Sequence, residues 1–371
     1  MNRETESGGM IMIRIQKCTV REFGELIKEK QVICFGGGQR LLDICETYTM
    51  GGQLFYIVDK YKSGTRIEIG ERKVPVLSME QIGEEIKKSV PVLTSIKYAD
   101  EIIDELDRIA LCDQISFYMP EMFQNDPEEP IQNLMRIQRI PKIIHFCWFG
   151  RGEIPPEFKK NIETWKEKCP DYEVCCWSED NYDVSKNTYM KQAYEKGKWG
   201  FVPDYARLDI IYHYGGIYLD TDVEVCRSFD ELLQFDMFCG FETMFQIALG
   251  LGFGAVKGNF LLKDMMQVYE KEKFIHEDGT LNLIPSPVYQ TKTLSELGLK
   301  KNGCTQKLGN SIILSPEYLS PVNEFGFGKP TENTYSIHHY AATWYGEEQC
   351  REKERIKQNY QKVLMRMNHV R

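Results

Sequence analysis

The sequence predicts an α/β protein with two sheets, and three observations lead there. Between residues 30 and 120, short apolar runs alternate with helical stretches, the pattern of a small doubly wound unit. A polar segment with two prolines, FQNDPEEPIQN at 123–133, interrupts that series as a linker would. Beyond it the alternation resumes on a larger scale, from RIPKIIHFCWFG at 139–150. The expected organisation is a smaller Rossmann-like unit over 1–125, a linker over 126–138, a larger α/β unit over 139–345 and a basic C-terminal helix over 346–371.

In the first unit, QVICFGGG (31–38) is a strand running into glycines, and RLLDICETY (40–48) is a helix. LFYIVDK (54–60) is a second strand, ending in Asp59. KVPVLS (73–78), SVPVLTS (89–95) and QISFYM (114–119) continue the series, with a helix over 99–109. Gly36-Gly37-Gly38 followed by Asp59 has the outline of a dinucleotide fingerprint. Leu41 stands where the third glycine belongs, so the expectation is a Rossmann-like scaffold without a cofactor.

In the second unit the first strand runs from Ile143 to Trp148. Helical and strand signals follow over Pro156–Lys168 and Tyr172–Trp177, then a strong helix over Val202–Tyr214. Gly215-Gly216 ends that helix and lets the backbone turn into a strand at Ile217–Leu219. A further strand is expected near Met237–Phe241.

Bulk properties exclude some functions. The net charge is -9 and no broad basic stripe exists, which argues against a nucleic-acid partner. No apolar run reaches transmembrane length, and MNRETESGGMIMIRIQ lacks the form of a signal peptide. The 12 cysteines are scattered, include the vicinal pair Cys175-Cys176 and form no CxxC, so they read as reduced thiols in a cytoplasm.

The chemistry concentrates in GGIYLDTDVEV (215–225). On a strand, Asp220 and Asp222 would share one face with Tyr218, the two carboxylates roughly 6–7 Å apart. Their repulsion, about 2–3 kcal/mol at an effective dielectric near 20, becomes attraction around a divalent cation. In the preceding helix, Asp204 and Arg207 are three residues apart and share a face, either as a surface ion pair or as part of a site.

The ordered set IPKIIHFCW, Asp204/Arg207, GGIYLDTD and HHYAATW resembles the DXD-motif sugar transferases, a family 32-like group of glycosyltransferases. These include capsular polysaccharide and mannosyl transferases and, more distantly, the glucosylating domains of large bacterial toxins. The resemblance covers about 139–345 and implies a GT-A type Rossmann-like domain that binds a nucleotide sugar. It implies that Ile144, Phe146 and Trp148 border the base, with Trp148 stacking on it. Asp204 and Arg207 would hold the donor sugar, Tyr218 would line the site and Trp344 would cap the phosphates. Asp222 would bind Mn²⁺ or Mg²⁺ directly, and Asp220 through the metal, a water or the ribose. His339 has the family's spacing to Trp344 and is preferred over His338 as the last ligand. Asp204, Arg207, Asp220 and Asp222 form the catalytic set of a retaining enzyme that delivers a sugar to a glycan or lipid-linked glycan, as in bacterial surface polysaccharide synthesis.

Alternating Gly250, Gly252 and Gly254 mark either a substrate-facing segment or a bulged core strand. Two rival functions remain at this stage. One is a phosphatase of the haloacid dehalogenase type, and the other is a sugar-nucleotide-binding subunit without turnover. Finally, residues 351–371 hold seven Lys/Arg against two Glu. Ile356, Tyr360, Val363, Leu364 and Met367 form one stripe, suited either to weak contact with an anionic inner membrane face or to packing on the protein itself.

Overall fold

The computed structural model describes residues 13–113, 115–123, 128, 130–132, 137–341 and 347–368. It divides into two compact units: Met1–Pro127 with Glu347–Arg371, and Glu128–Gly346. Both are α/β, the class the sequence predicts.

The first unit contains strands β1 (Arg14–Ile15), β2 (Val32–Phe35), β3 (Leu54–Val58), β4 (Arg66–Ile69), β5 (Arg72–Leu77), β6 (Val90–Leu93) and β7 (Ser116–Phe117). Its helices are α1 (Val20–Leu26), α2 (Gln39–Thr47) and α3 (Ala99–Leu106). The main sheet has the order β4-β5-β3-β2-β6, parallel apart from β4 at one edge. All four residues of β2 are buried, as expected for a central parallel strand covered on both faces. The glycine turn after β2 is closed by its own loop. Asp59 accepts hydrogen bonds from the backbone N–H of Gly37 (2.8 Å), Tyr61 (2.9 Å) and Lys62 (3.0 Å). The carboxylate that would bind a ribose in a dinucleotide site is thus committed to the turn itself.

The C-terminal helix, Glu347–Asn368, is a part of this unit rather than a separate element. Val363 and Met367 are buried in the same apolar cluster as Phe35, Ile103 and Phe117, with Ile356, Tyr360 and Leu364 packed at its border. Basic residues of the helix pair with acids of α3 and the turn after it: Lys362 with Asp104 (2.5 Å) and Arg366 with Asp107. The stripe considered for a membrane surface is therefore turned into the protein's own core, because these acids and this cluster complement it better than water does.

The second unit contains β8 (Ile143–Cys147), β9 (Glu173–Trp177), β10 (Gly216–Tyr218), β11 (Val223–Val225), β12 (Met237–Thr243), β13 (Gln246–Ile247), β14 (Phe253–Ala255), β15 (Gln306–Leu308), β16 (Ser311–Leu314) and β17 (Ser336–His338). Its helices are α4 (Pro156–Lys168), α5 (Thr188–Glu195), α6 (Pro203–Tyr214), α7 (Phe260–Lys271), α8 (Ser286–Glu296) and α9 (Pro316–Leu319). The large sheet has the order β15-β16-β12-β14-β10-β8-β9, with β13 paired to β12. It is mixed: β14 runs antiparallel to both β10 and β12. β11 and β17 form a separate antiparallel pair.

Apolar clusters cover both faces of this sheet. Cys147 and Tyr218 pack with residues of α5, α6 and α7 on one side. Ile144, Phe146 and Ile217 pack with α4 on the other, where Phe146 meets Trp165 edge-on at 5.6 Å. Strand alternation thus sends Ile144 and Phe146 into the core, and the expectation that they border a base is corrected.

The descent from α6 to β10 fixes everything downstream. Gly215 (φ 70°) and Gly216 (φ 104°) both adopt conformations open to glycine, and a Cβ on Gly216 would lie 2.7 Å from the Ile143 carbonyl oxygen. His145 locks this turn from β8. Trp177 Nε1, which can only donate, gives its hydrogen to His145 Nδ1 at 3.1 Å. The proton on Nε2 is then donated to the Gly215 carbonyl at 3.0 Å. Burial holds the imidazole down at about 4 against an ordinary 6.5.

Two tests follow from this architecture. Neutral His145 favours the folded state fully above pH 6.5, and that contribution, on the order of 3 kcal/mol, is lost as pH falls toward 4. In urea unfolding, the stability gap between the wild type and His145→Gln should therefore narrow between pH 7 and pH 4.5; a constant gap would contradict the assignment. For the C-terminal helix, Val363→Ala should cost about 1–3 kcal/mol. Met365→Ala, at a 57% exposed site, should change stability by less than about 0.5 kcal/mol.

Candidate active site

The site grows from the first turns of α6. Its residues Asp204 to Ile211 are all buried, so this is a central helix rather than a half-exposed one. The Asp204–Arg207 pair is accordingly not a surface pair. Arg207 Nη2 donates to Asp204 Oδ1 at 2.9 Å, Nε donates to the Pro203 carbonyl at 3.0 Å, and Nη1 lies 3.5 Å from Asp220 Oδ2. Its guanidinium sits over the Tyr218 ring, 5.2 Å from the centroid, and Tyr218 donates its hydroxyl hydrogen to Asp220 Oδ1 at 2.9 Å. Burial opposes the Arg207 charge, but Asp220, Tyr218 and Asp204 outweigh it and hold the group protonated. Burial also pushes Asp204 up to about 6, against the pull of Arg207.

Asp220 and Asp222 do not lie on a regular strand. They occupy the turn between β10 and β11, closed by the Val223 N–H donating to the Asp220 carbonyl at 3.1 Å. The turn, not strand alternation, brings the carboxylates together. A third ligand-type group joins them: one atom each from Asp220, Asp222 and His338 fall within 4.8 Å of one another. His338 Nε2 is 3.2 Å from Asp222 Oδ1, and Asp222 Oδ2 accepts from the Ala341 N–H at 3.0 Å. Tyr340 (φ 50°) packs edge-on against the His338 ring at 4.3 Å and shares a 2.6 Å hydrogen bond with the Ser320 hydroxyl.

His339 takes another direction. Its Nε2 is 3.0 Å from Glu224, at an exposed position away from the triad. Consecutive residues of an extended segment face opposite ways, so only one of the two rings reaches the aspartates, and it is His338. The preference for His339 is corrected on that ground. Trp344 lies outside the described residues. Trp148 is half-buried, donates Nε1–H to the Gly152 carbonyl at 2.6 Å and meets Phe158 edge-on at 5.9 Å.

Electrostatics match a cation site. Burial and the charge of Asp222 raise Asp220, while Arg207 opposes them. Asp222 is lowered: burial works the other way, but the hydrogen bond and charge of His338 prevail. Burial disfavours a charged His338, yet Asp222, Asp220 and Glu242 hold its proton above the ordinary range. Two carboxylates and an imidazole so close fit a divalent metal ion, which would take the place of that proton.

Sequence reasoning missed several neighbours. Ser286 of α8 lies beside Asp204, and Glu242 of β12, pushed up to about 7 mainly by burial, lies near enough to His338 to feel its charge. The glycines of 250–254 divide their roles. A Cβ on Gly250 would collide with the Asp220 carboxylate and approach Arg207 Nη1 to 3.2 Å, whereas Gly254 packs on Phe238 in the core. The glycine run was visible; which of them met the site was not.

Comparison with known proteins bears on the same residues. Residues 155–239 match the family described as glycosyltransferase sugar-binding region containing DXD motif. That span includes Asp204, Arg207, Asp220 and Asp222 and excludes His338. The chain is 33% identical over 100 residues to inositol phosphoceramide mannosyltransferase 3 of Schizosaccharomyces pombe, covering 26% of this chain and 28% of that protein. It is 33% identical over 105 residues to mannosyl phosphorylinositol ceramide synthase SUR1 of Saccharomyces cerevisiae, covering 27% of each. The chain thus spans little more than a quarter of these curated relatives. A solved glycosyltransferase involved in glycosylation of the major capsid of PBCV-1 is 13% identical with a TM-score of 0.35, covering 58% of this chain and 100% of that one. Over residues 155–239, the chain is thus similar to the sugar-binding region of the DXD-motif glycosyltransferases.

Proposed function

We propose that the protein is a metal-dependent, retaining glycosyltransferase that moves a hexose from a nucleoside-diphosphate sugar to a hydroxyl of a glycan or lipid-linked glycan. The observation that carries this reading is the convergence of Asp220, Asp222 and His338 beside the buried Asp204–Arg207 pair. Work in the cytoplasm, on surface or capsular polysaccharide, belongs to the same reading. The names of the yeast relatives make mannose the first sugar to test, and an acceptor with a lipid part the first acceptor.

A bound Mn²⁺ or Mg²⁺, held by Asp220, Asp222 and His338, would supply positive charge against the diphosphate leaving group. The chain's own groups do the rest. Arg207, fixed by three oxygens and an aromatic face, presents a preorganised cation where charge develops as the glycosidic bond loosens. Asp204 orients that guanidinium and offers its remaining acceptor capacity to sugar hydroxyls. Tyr218 holds Asp220 in place through its hydroxyl. The acceptor hydroxyl attacks from the face the leaving group departs, which keeps the anomeric configuration.

Nucleoside diphosphate release from GDP- and UDP-sugars with Mn²⁺, measured with and without chelator, tests the reading. Chelator or Asp222→Asn should abolish turnover, and His338→Ala should weaken the metal requirement's midpoint by about 10- to 100-fold, while His339→Ala stays near wild type. Release of phosphate from simple phosphate esters instead would favour a phosphatase. Arg207→Lys keeps the charge but loses the planar fork, so kcat should fall with little change in KM. An unchanged kcat would leave Arg207 with a structural role only.

A further inference from the structure

Helix α8 carries Ser286 and Gln290 four residues apart on one face, both buried. Ser286 is 7% and Gln290 is 1% exposed. Ser286 lies beside Asp204 and helps hold its carboxylate charged. Gln290 Oε1 accepts the backbone N–H of Leu249 at 2.9 Å, one residue before Gly250, whose carbonyl is 3.4 Å from Asp220 N. A backbone N–H can only donate, so the oxygen of the carboxamide must face Leu249 and the NH₂ group must face away from it. That Nε2 is buried and has no hydrogen-bond partner among the described residues.

Leaving a buried donor unpaired is costly, so such a group calls for an explanation: strain, a water or ion, or a role in binding or catalysis. The same corner holds two more orphaned groups. The hydroxyls of Tyr189 and Tyr269 are buried without hydrogen-bond partners among the described residues, their rings meet at 5.1 Å, and the Asp204 charge, after burial, is a cause of the upward shift of both phenols. A sugar hydroxyl both donates and accepts. A carboxylate acceptor and a carboxamide donor together complement such a hydroxyl.

We propose that Gln290 is a specificity-determining residue, its Nε2 donating to a ring hydroxyl of the donor sugar while Asp204 accepts from the sugar's hydroxyls. This rests on the reading of the protein as a sugar-nucleotide transferase. It adds that discrimination among donor sugars resides on α8, outside the segment matched to the family.

The test pairs a protein change with a substrate change. Gln290→Met removes the donor at similar volume. It is assayed with whichever of GDP-mannose, UDP-glucose and UDP-galactose the wild type turns over, and with the singly deoxygenated forms of that donor. The variant should lose about 10- to 100-fold in kcat/KM with the full donor, and little or nothing with the one deoxy donor that lacks the contacted hydroxyl. Its affinity for the free nucleoside diphosphate with Mn²⁺ should stay unchanged. An equal loss across all donors means a structural role, an equal loss for the free diphosphate means a phosphate contact, and no loss means a bound water only; each overturns the proposal. Gln290→Glu, which keeps an oxygen for Leu249 N–H, repeats the cycle if the methionine variant does not fold. A wild type that neither binds nucleoside diphosphates nor turns over any sugar nucleotide overturns the underlying reading, and this one with it.

Discussion

A guanidinium that is 4% exposed must be matched by its surroundings, and Arg207 sets that demand at the heart of the larger unit. Taking such a charge from water costs several kcal/mol, which only close counter-charges and hydrogen bonds offset. Asp204, Asp220, the Pro203 carbonyl and the face of Tyr218 supply them. The partners come from three points of one short stretch: the first turn of α6, strand β10 and the turn after it. The Gly215-Gly216 descent, locked by neutral His145, brings those points together. Gly250 then has to be bare, because a side chain there would fall on the Asp220 carboxylate.

This dependence explains how much of the site was legible in the sequence. Asp204, Arg207, Asp220 and Asp222 lie within 19 residues, so their short spacing was enough to mark them as one group. The small unit's series of strands was legible for the same reason: each apolar run is bounded by its own turn residues. What was read as one strand carrying Tyr218, Asp220 and Asp222 proved to be a strand end followed by a turn, a distinction that spacing does not make.

Long-range choices were less visible. Between His338 and His339 the decision rests on which of two alternating faces pairs with β11, and no local signal carries it. Ile144 and Phe146 belong to the strand next to the site but point to the face covered by α4. The apolar stripe of the C-terminal helix was readable, while the acids that receive it, Asp104 and Asp107, stand some 260 residues earlier. Ser286 and Gln290 carry no motif at all. Their relevance appears only when α8 is seen against the loop carrying Gly250.

The discontinuity of the first unit has a consequence for biogenesis. Its core needs Val363 and Met367, which a ribosome adds after the whole of Glu128–Gly346. Domains of a nascent chain ordinarily fold from the N-terminus onward. Here the later unit can reach its native state first, while the earlier one waits with part of its apolar face exposed. Over that interval, at about 5–20 residues per second, the cluster around Phe35, Ile103 and Phe117 is without the side chains of Val363 and Met367. Mutations in the C-terminal helix would thus be felt during synthesis before they are felt in the finished protein.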